Sequence, residues 1–94
     1  MPQFLDTLGW IYFLRGERGQ ALTMLKTAAD RLPDIAAVQF HLGMAYGEFD
    51  QKELAVARLE RAIVLSKDRG FPQRDQARAA LDALIAADDE PAIQ

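Results

Sequence analysis

The chain matches itself when shifted by about 34 residues, and this repeat restricts its possible folds more than any other feature. Leu8, Gly9 and Tyr12 of the segment LGWIY recur as Leu42, Gly43 and Tyr46 of LGMAY. Ala21, Leu25 and Ala28 likewise recur as Ala55, Leu59 and Ala62. A unit of this length is a single supersecondary structure that cannot bury its apolar face alone, so neighbouring units must stack. Such a period belongs to helix–turn–helix arrays, which hold other molecules rather than transform them.

Apolar spacing is helical throughout, with no alternation of the strand kind. Leu5, Leu8, Gly9 and Tyr12 fall at i, i+3, i+4 and i+7 of a first helix, and Gly16 is placed to end it in a left-handed cap before Glu17, Arg18 and Gly19. Ala21, Leu22, Leu25, Ala28, Ala29 and Leu32 form the inward face of a second helix, which Pro33 stops. Asp34 is expected to cap a third helix with the stripe Val38, Leu42, Ala45 and Tyr46. Asp50 with Glu53 reads as a capping box opening a fourth, whose inward residues are Leu54, Ala55, Leu59, Ala62 and Ile63. Lys67 stands where the first unit has Pro33, so the fourth helix is expected to run on to Gly70. Pro72 then suits the first turn of a fifth helix, apolar along Ala77, Ala80, Leu81, Leu84 and Ile85 and charged along Arg74, Asp75, Arg78 and Asp82. A two-faced helix is what an array needs as its last element. The acidic stretch from Asp88 to Gln94 contains Pro91 and is expected to fray, because acids at a helix C-terminus oppose the macrodipole.

Ninety-four residues make one small domain. The net charge is −3, with Lys and Arg scattered among Asp and Glu. No basic stripe exists to neutralise phosphates, which argues against nucleic-acid binding. The chain has no cysteine, which removes disulfides, thiolate nucleophiles and cysteine metal sites together. His41, the lone histidine, has no second His or Cys to share a metal, so it reads as a hydrogen-bonded boundary residue or a pH-sensitive contact. Asp88, Asp89 and Glu90 lack the spaced oxygens and turn glycine of a calcium loop. No Ser–His–Asp set, phosphate-cradling glycine loop or carboxylate pair appears, so neither catalysis nor a cofactor is expected. The start MPQFLDTLGW does not read as a signal peptide, and no apolar run is long enough to cross a bilayer. The default expectation is therefore a cytoplasmic location, or a periplasmic one for a piece of an exported protein.

With these residues in place, the chain resembles the tetratricopeptide repeat family. The likeness covers residues 2–69 as two repeats, 2–35 and 36–69, with residues 71–88 similar to the family's capping helix and an acidic flexible tail at 89–94. The family pattern implies an all-α, right-handed superhelical array forming one domain over residues 1–88. It pairs small residues across each hairpin, Gly9 with Ala21 and Gly43 with Ala55, and uses Ala28 and Ala62 against the next helix. Leu8, Tyr12, Leu25, Leu42, Tyr46 and Leu59 match its large core positions, and Pro33 its terminal proline. Gln39, where the first repeat has Leu5, and Lys67 depart from the pattern. The segments LDTLGWIYF, HLGMAY and FPQRDQARAALDAL also look like the C-terminal repeats of large bacterial tetratricopeptide proteins, some associated with exopolysaccharide export and PEP-CTERM sorting.

The resemblance implies a protein–protein interaction scaffold without catalysis, in which the first helix of each repeat lines a concave groove. The groove positions map onto Gln3, Asp6, Trp10 and Phe13, then Ala37, Phe40, Met44 and Gly47, with Arg74 and Arg78 as a basic wall. Such a groove suits an apolar peptide or an amphipathic helix. The family's carboxylate clamp is absent, since Asp6 and Trp10 stand where amide or basic groups would be needed. The alternative is self-assembly. Phe4, Trp10, Ile11 and Leu14 leave the first helix almost without a polar face, and a homodimer would cover them.

Overall fold

The computed structural model describes residues 1–67 and 71–89. It contains α1 (Pro2–Leu14), α2 (Arg18–Arg31), α3 (Ala36–Glu48), α4 (Lys52–Leu65) and α5 (Arg74–Asp89). Among the described residues there is no strand, and no helix is long and apolar enough to cross a membrane. Each helix packs on the next in chain order, and α1 also touches α3. Short connections make successive helices antiparallel.

Within each hairpin, a glycine lets the two backbones close. A Cβ added to Gly9 would lie 2.9 Å from Cγ of Leu25 and 3.2 Å from Cβ of Met24. One added to Gly43 would lie 2.9 Å from Cγ of Leu59 and 3.2 Å from the Leu59 backbone nitrogen. The glycines therefore seat leucines of the second helix. The alanines expected to face them, Ala21 and Ala55, are fully buried but are not what a Cβ at Gly9 or Gly43 would strike first.

Both hairpins turn in the same way. Gly16 has φ 81°, and Asp50, its counterpart in the next repeat, has φ 59°. The amide of Gly16 donates to the Phe13 carbonyl and that of Glu17 to Tyr12. The amides of Asp50 and Gln51 donate to Gly47 and Tyr46 in the same pattern. These are Schellman closures, in which one left-handed residue lets the chain cap its own carbonyls. The expected capping box at Asp50 and Glu53 does not form, because Asp50 is taken up by this turn and Gln51 is the N-cap, with no side-chain cap bond. Asp34 does not cap α3 either. Ile35 is the N-cap, and Asp34 instead accepts a 2.7 Å hydrogen bond from Arg61 on α4.

The fourth helix is shorter than expected. It ends at Leu65, where the buried Ser66 hydroxyl donates to the Ile63 carbonyl at 2.8 Å. Gly70, its expected end, lies outside the described residues, as do Glu90 to Gln94. The fifth helix begins at Arg74, two residues after Pro72, and continues through Asp88 to Asp89.

The core runs through the array in two joined parts. Leu25, Ala28 and Ala29 of α2 pack with Val38, Leu42 and Ala45 of α3. Leu59, Ala62 and Ile63 of α4 pack with Phe40 of α3 and Ala77 and Leu81 of α5. Three residues expected inside are exposed: Leu8, Leu54 and Ile85. Leu8 sits on the side of α1 that no helix among the described residues covers, whereas its repeat partner Leu42 lies under α2.

Gly43→Ala is expected to destabilise by about 1–2 kcal/mol, since overpacking outweighs the gain in helix propensity. Gly9→Ala should cost less, because its neighbours are side-chain atoms and α1 is free to shift outward. Asp50→Gly should stabilise by about 0.5–1 kcal/mol by relieving a left-handed backbone. Urea denaturation of the three variants checks the order; a Gly9→Ala cost above that of Gly43→Ala would contradict it.

Candidate binding surface

The side of α1 that faces α3 carries Asp6, Trp10 and Phe13. Trp10 stacks on Phe13 one helical turn away, with centroids 4.6 Å apart, and on His41 of α3 at 4.3 Å. Phe40 is tilted against Trp10 at 5.7 Å and meets Phe71 edge-on at 5.9 Å. Five rings thus run from α1 across α3 to the segment before α5. Edge-on and offset contacts of this kind add to the stabilisation from burial.

His41 is buried inside this cluster and bridges to Asp6, its Nδ1 lying 2.8 Å from Oδ1. A carboxylate can only accept, so Nδ1 carries the proton and donates. The buried Nε2 has no partner among the described residues. Gln39, beside it, is also buried, and both ends of its amide are used. Nε2 donates to the Pro33 carbonyl at 2.9 Å, and Oε1 accepts from Arg58 of α4 at 3.2 Å. A polar residue where the first repeat has Leu5 is thereby accommodated, tying the α2–α3 loop to α4.

Beside the rings lies an open apolar cleft of about 320 Å³ between α3 and α5. Gly43, Met44, Gly47 and Glu48 form one side, Ala80, Ala83 and Leu84 the other, and Leu59 the floor. Of the expected groove residues, Met44 and Gly47 line this cleft. Trp10 and Phe13 are half-buried in the ring cluster, Asp6 is engaged by His41, and Phe40 is wholly buried beneath Trp10 and Phe71. Phe40 therefore shapes the surface from below.

Arg74 and Arg78 do not wall the cleft. At about 100° per residue, Arg78 sits about 140° round α5 from Ala83, and Arg74 is opposite it. Both are exposed on the outer flank of the last helix. Ala80, Ala83 and Leu84 were not marked as groove residues in the sequence. Their cleft arises because α5 packs out of register with the repeat. One exact repeat beyond Val38, Leu42 and Ala45 falls on Pro72, Gln76 and Ala79, but α5 packs through Ala77, Leu81 and Leu84.

The residues expected for self-association fall on two faces. Phe4, Ile11 and Leu14 are exposed on the uncovered side of α1, together with Leu8. Trp10 is turned towards α3 and takes no part in that stripe.

Asp6→Ala should cost about 1–3 kcal/mol, because it leaves a buried imidazole with neither nitrogen bonded. Replacing both partners, as Asp6→Leu with His41→Phe, should cost less than Asp6→Ala alone. Urea denaturation of the single and double variants decides this.

Comparison with known proteins matches residues 37–68 to the family model of a tetratricopeptide repeat. Its described part spans α3 from its second residue, the Schellman turn and α4. No curated protein and no solved structure matches the chain. Residues 2–35 share the glycine seat and the turn geometry of the matched repeat. Repeats of this family are scaffolds for protein–protein contacts and are typically non-catalytic. The described residues thus form an all-α helical array, and residues 37–68 of the chain match the tetratricopeptide repeat family.

Proposed function

We propose that residues 1–88 act as one binding module, with repeats at 2–35 and 36–69 and a capping helix at 71–88, which accepts an apolar peptide or amphipathic helix on its concave side. The α3–α5 cleft carries this reading. It is open and apolar, and its rims at Gly47, Ala80 and Ala83 bear little or no side chain. Small rims let a partner backbone approach, and a leucine-lined floor rewards one or two inserted apolar side chains. At ~25 cal/mol per Å² such burial yields several kcal/mol before association costs are subtracted. Affinity for a short segment should accordingly be modest.

Self-association through α1 is the second reading, favoured by the exposure of Phe4, Ile11 and Leu14. Light scattering separates the two, because the groove reading expects the 10.5 kDa mass of one chain and self-association twice that.

Selection from a displayed peptide library provides the binding test. Selected peptides should lose affinity at least tenfold to Ala83→Glu, which adds a charge at an exposed cleft rim. They should be indifferent to Arg78→Glu on the far flank of α5. Equal loss from both substitutions, or peptides that ignore Ala83→Glu, would place binding elsewhere.

A further inference from the structure

The repeat register indicates what the uncovered side of α1 is shaped to meet. Phe4, Leu8 and Ile11 occupy the repeat positions of Val38, Leu42 and Ala45. The first three are 69%, 42% and 45% exposed, while their equivalents are 2%, 2% and 1% exposed. The surroundings of the two helices otherwise correspond. Each seats a leucine of its own second helix on a glycine and ends in the same turn. The difference is that α2 lies across this face of α3, and no helix among the described residues lies across this face of α1.

We infer that Phe4, Leu8 and Ile11 form a docking face for one amphipathic helix of the α2 kind, contributed by a neighbouring helical-repeat unit. The α2–α3 contact defines the chemistry of this occupant. α2 meets α3 through Ala28 and Ala29, with Leu22 and Leu32 packed beside them. Its first turn lies beside the last turn of α3, where Arg18 meets Glu48 at 3.0 Å. The docked helix therefore runs antiparallel to α1 and is small at its centre. Phe4 and Ile11 are larger than Val38 and Ala45, which strengthens the demand for alanine or glycine opposite them. The counterpart of Glu48 is the exposed Leu14, so the occupant carries an apolar residue where α2 has Arg18.

A second copy of the chain fits this face poorly. The apolar faces of α2 and α4 are already committed inside the array. The outer flank of α5 presents Arg74, Asp75, Arg78 and Asp82, all exposed. The α3–α5 cleft is a groove between two helices and not a single helix of the α2 kind, and α1 against α1 brings together only large side chains. Two helices each about 20 Å long, joined along one stripe, also fall short of the roughly 1,200 Å² of buried surface that a stable dimer needs.

The test places a copy of residues 18–35 directly ahead of Pro2 in place of Met1, with the copied Arg18 changed to Leu. The copied helix and loop then precede α1 as α2 and its loop precede α3. The extended chain should stay monomeric and melt higher by about 5 °C or more. Leu8→Glu should abolish that rise, while moving the melting point of the original chain by no more than about 2 °C, as for an exposed position. An unchanged melting point on extension, or equal shifts from Leu8→Glu in both chains, would overturn the assignment. So would an original chain that is dimeric by light scattering and becomes monomeric with Leu8→Glu, since the occupant would then be a second copy.

Discussion

Two helices can approach closely only where one of them lacks a side chain, and in this protein that condition is met at Gly9 and Gly43. A Cβ at either site would stand 2.9 Å from a leucine Cγ, nearer than real Cβ contacts come. Leu25 and Leu59 are therefore seated against backbone and are almost completely removed from water. The close approach sets how each first helix leans on its second and which flanks stay open. The repeated seat fixes the geometry inside each hairpin, while the cleft and the bare face of α1 depend on how neighbouring helices lie across it.

Repetition makes the exceptions informative. Tyr12 and Tyr46 hold the same position, as do Gly16 and Asp50, and each pair does the same work in its turn. Leu8 and Leu42 also share a position, yet one is exposed and the other buried. Residue type cannot account for that difference; the presence of a covering helix does. At the other end, α5 supplies such a cover for α4, and its outward flank is charged. Among the described residues, α5 thus presents a charged outer flank and α1 an apolar one.

Polar groups inside the array add specific links between elements beyond the apolar and aromatic contacts. Gln39 links the loop after α2 to Arg58 of α4, and His41 links α3 to Asp6 of α1. A buried amide or imidazole is tolerable only when hydrogen-bonded, so each of these fixes a specific relation between helices in a way that a leucine would not. The family pattern marks Gln39 as a departure and is silent on His41. Their partners lie 6, 19 and 35 residues away in the chain, separations at which no local pattern connects them.

Helical class, the length of the repeat, the close approach at Gly9 and Gly43, the left-handed turn at Gly16 and the buried faces of α2 and α4 were legible in the amino-acid order. These are local or periodic properties: spacing selects a face, and a missing side chain permits close approach. It took the packed array to bury Phe40 and leave Leu8 bare, to engage Asp34 in an ion pair and Asp50 in a turn rather than as caps, and to point Arg74 and Arg78 away from the cleft. Those outcomes depend on which helix lies across which, and on the shift in register with which α5 meets α4. Such a shift leaves the amphipathic pattern of each helix intact, so reading the helices one at a time could not reveal it.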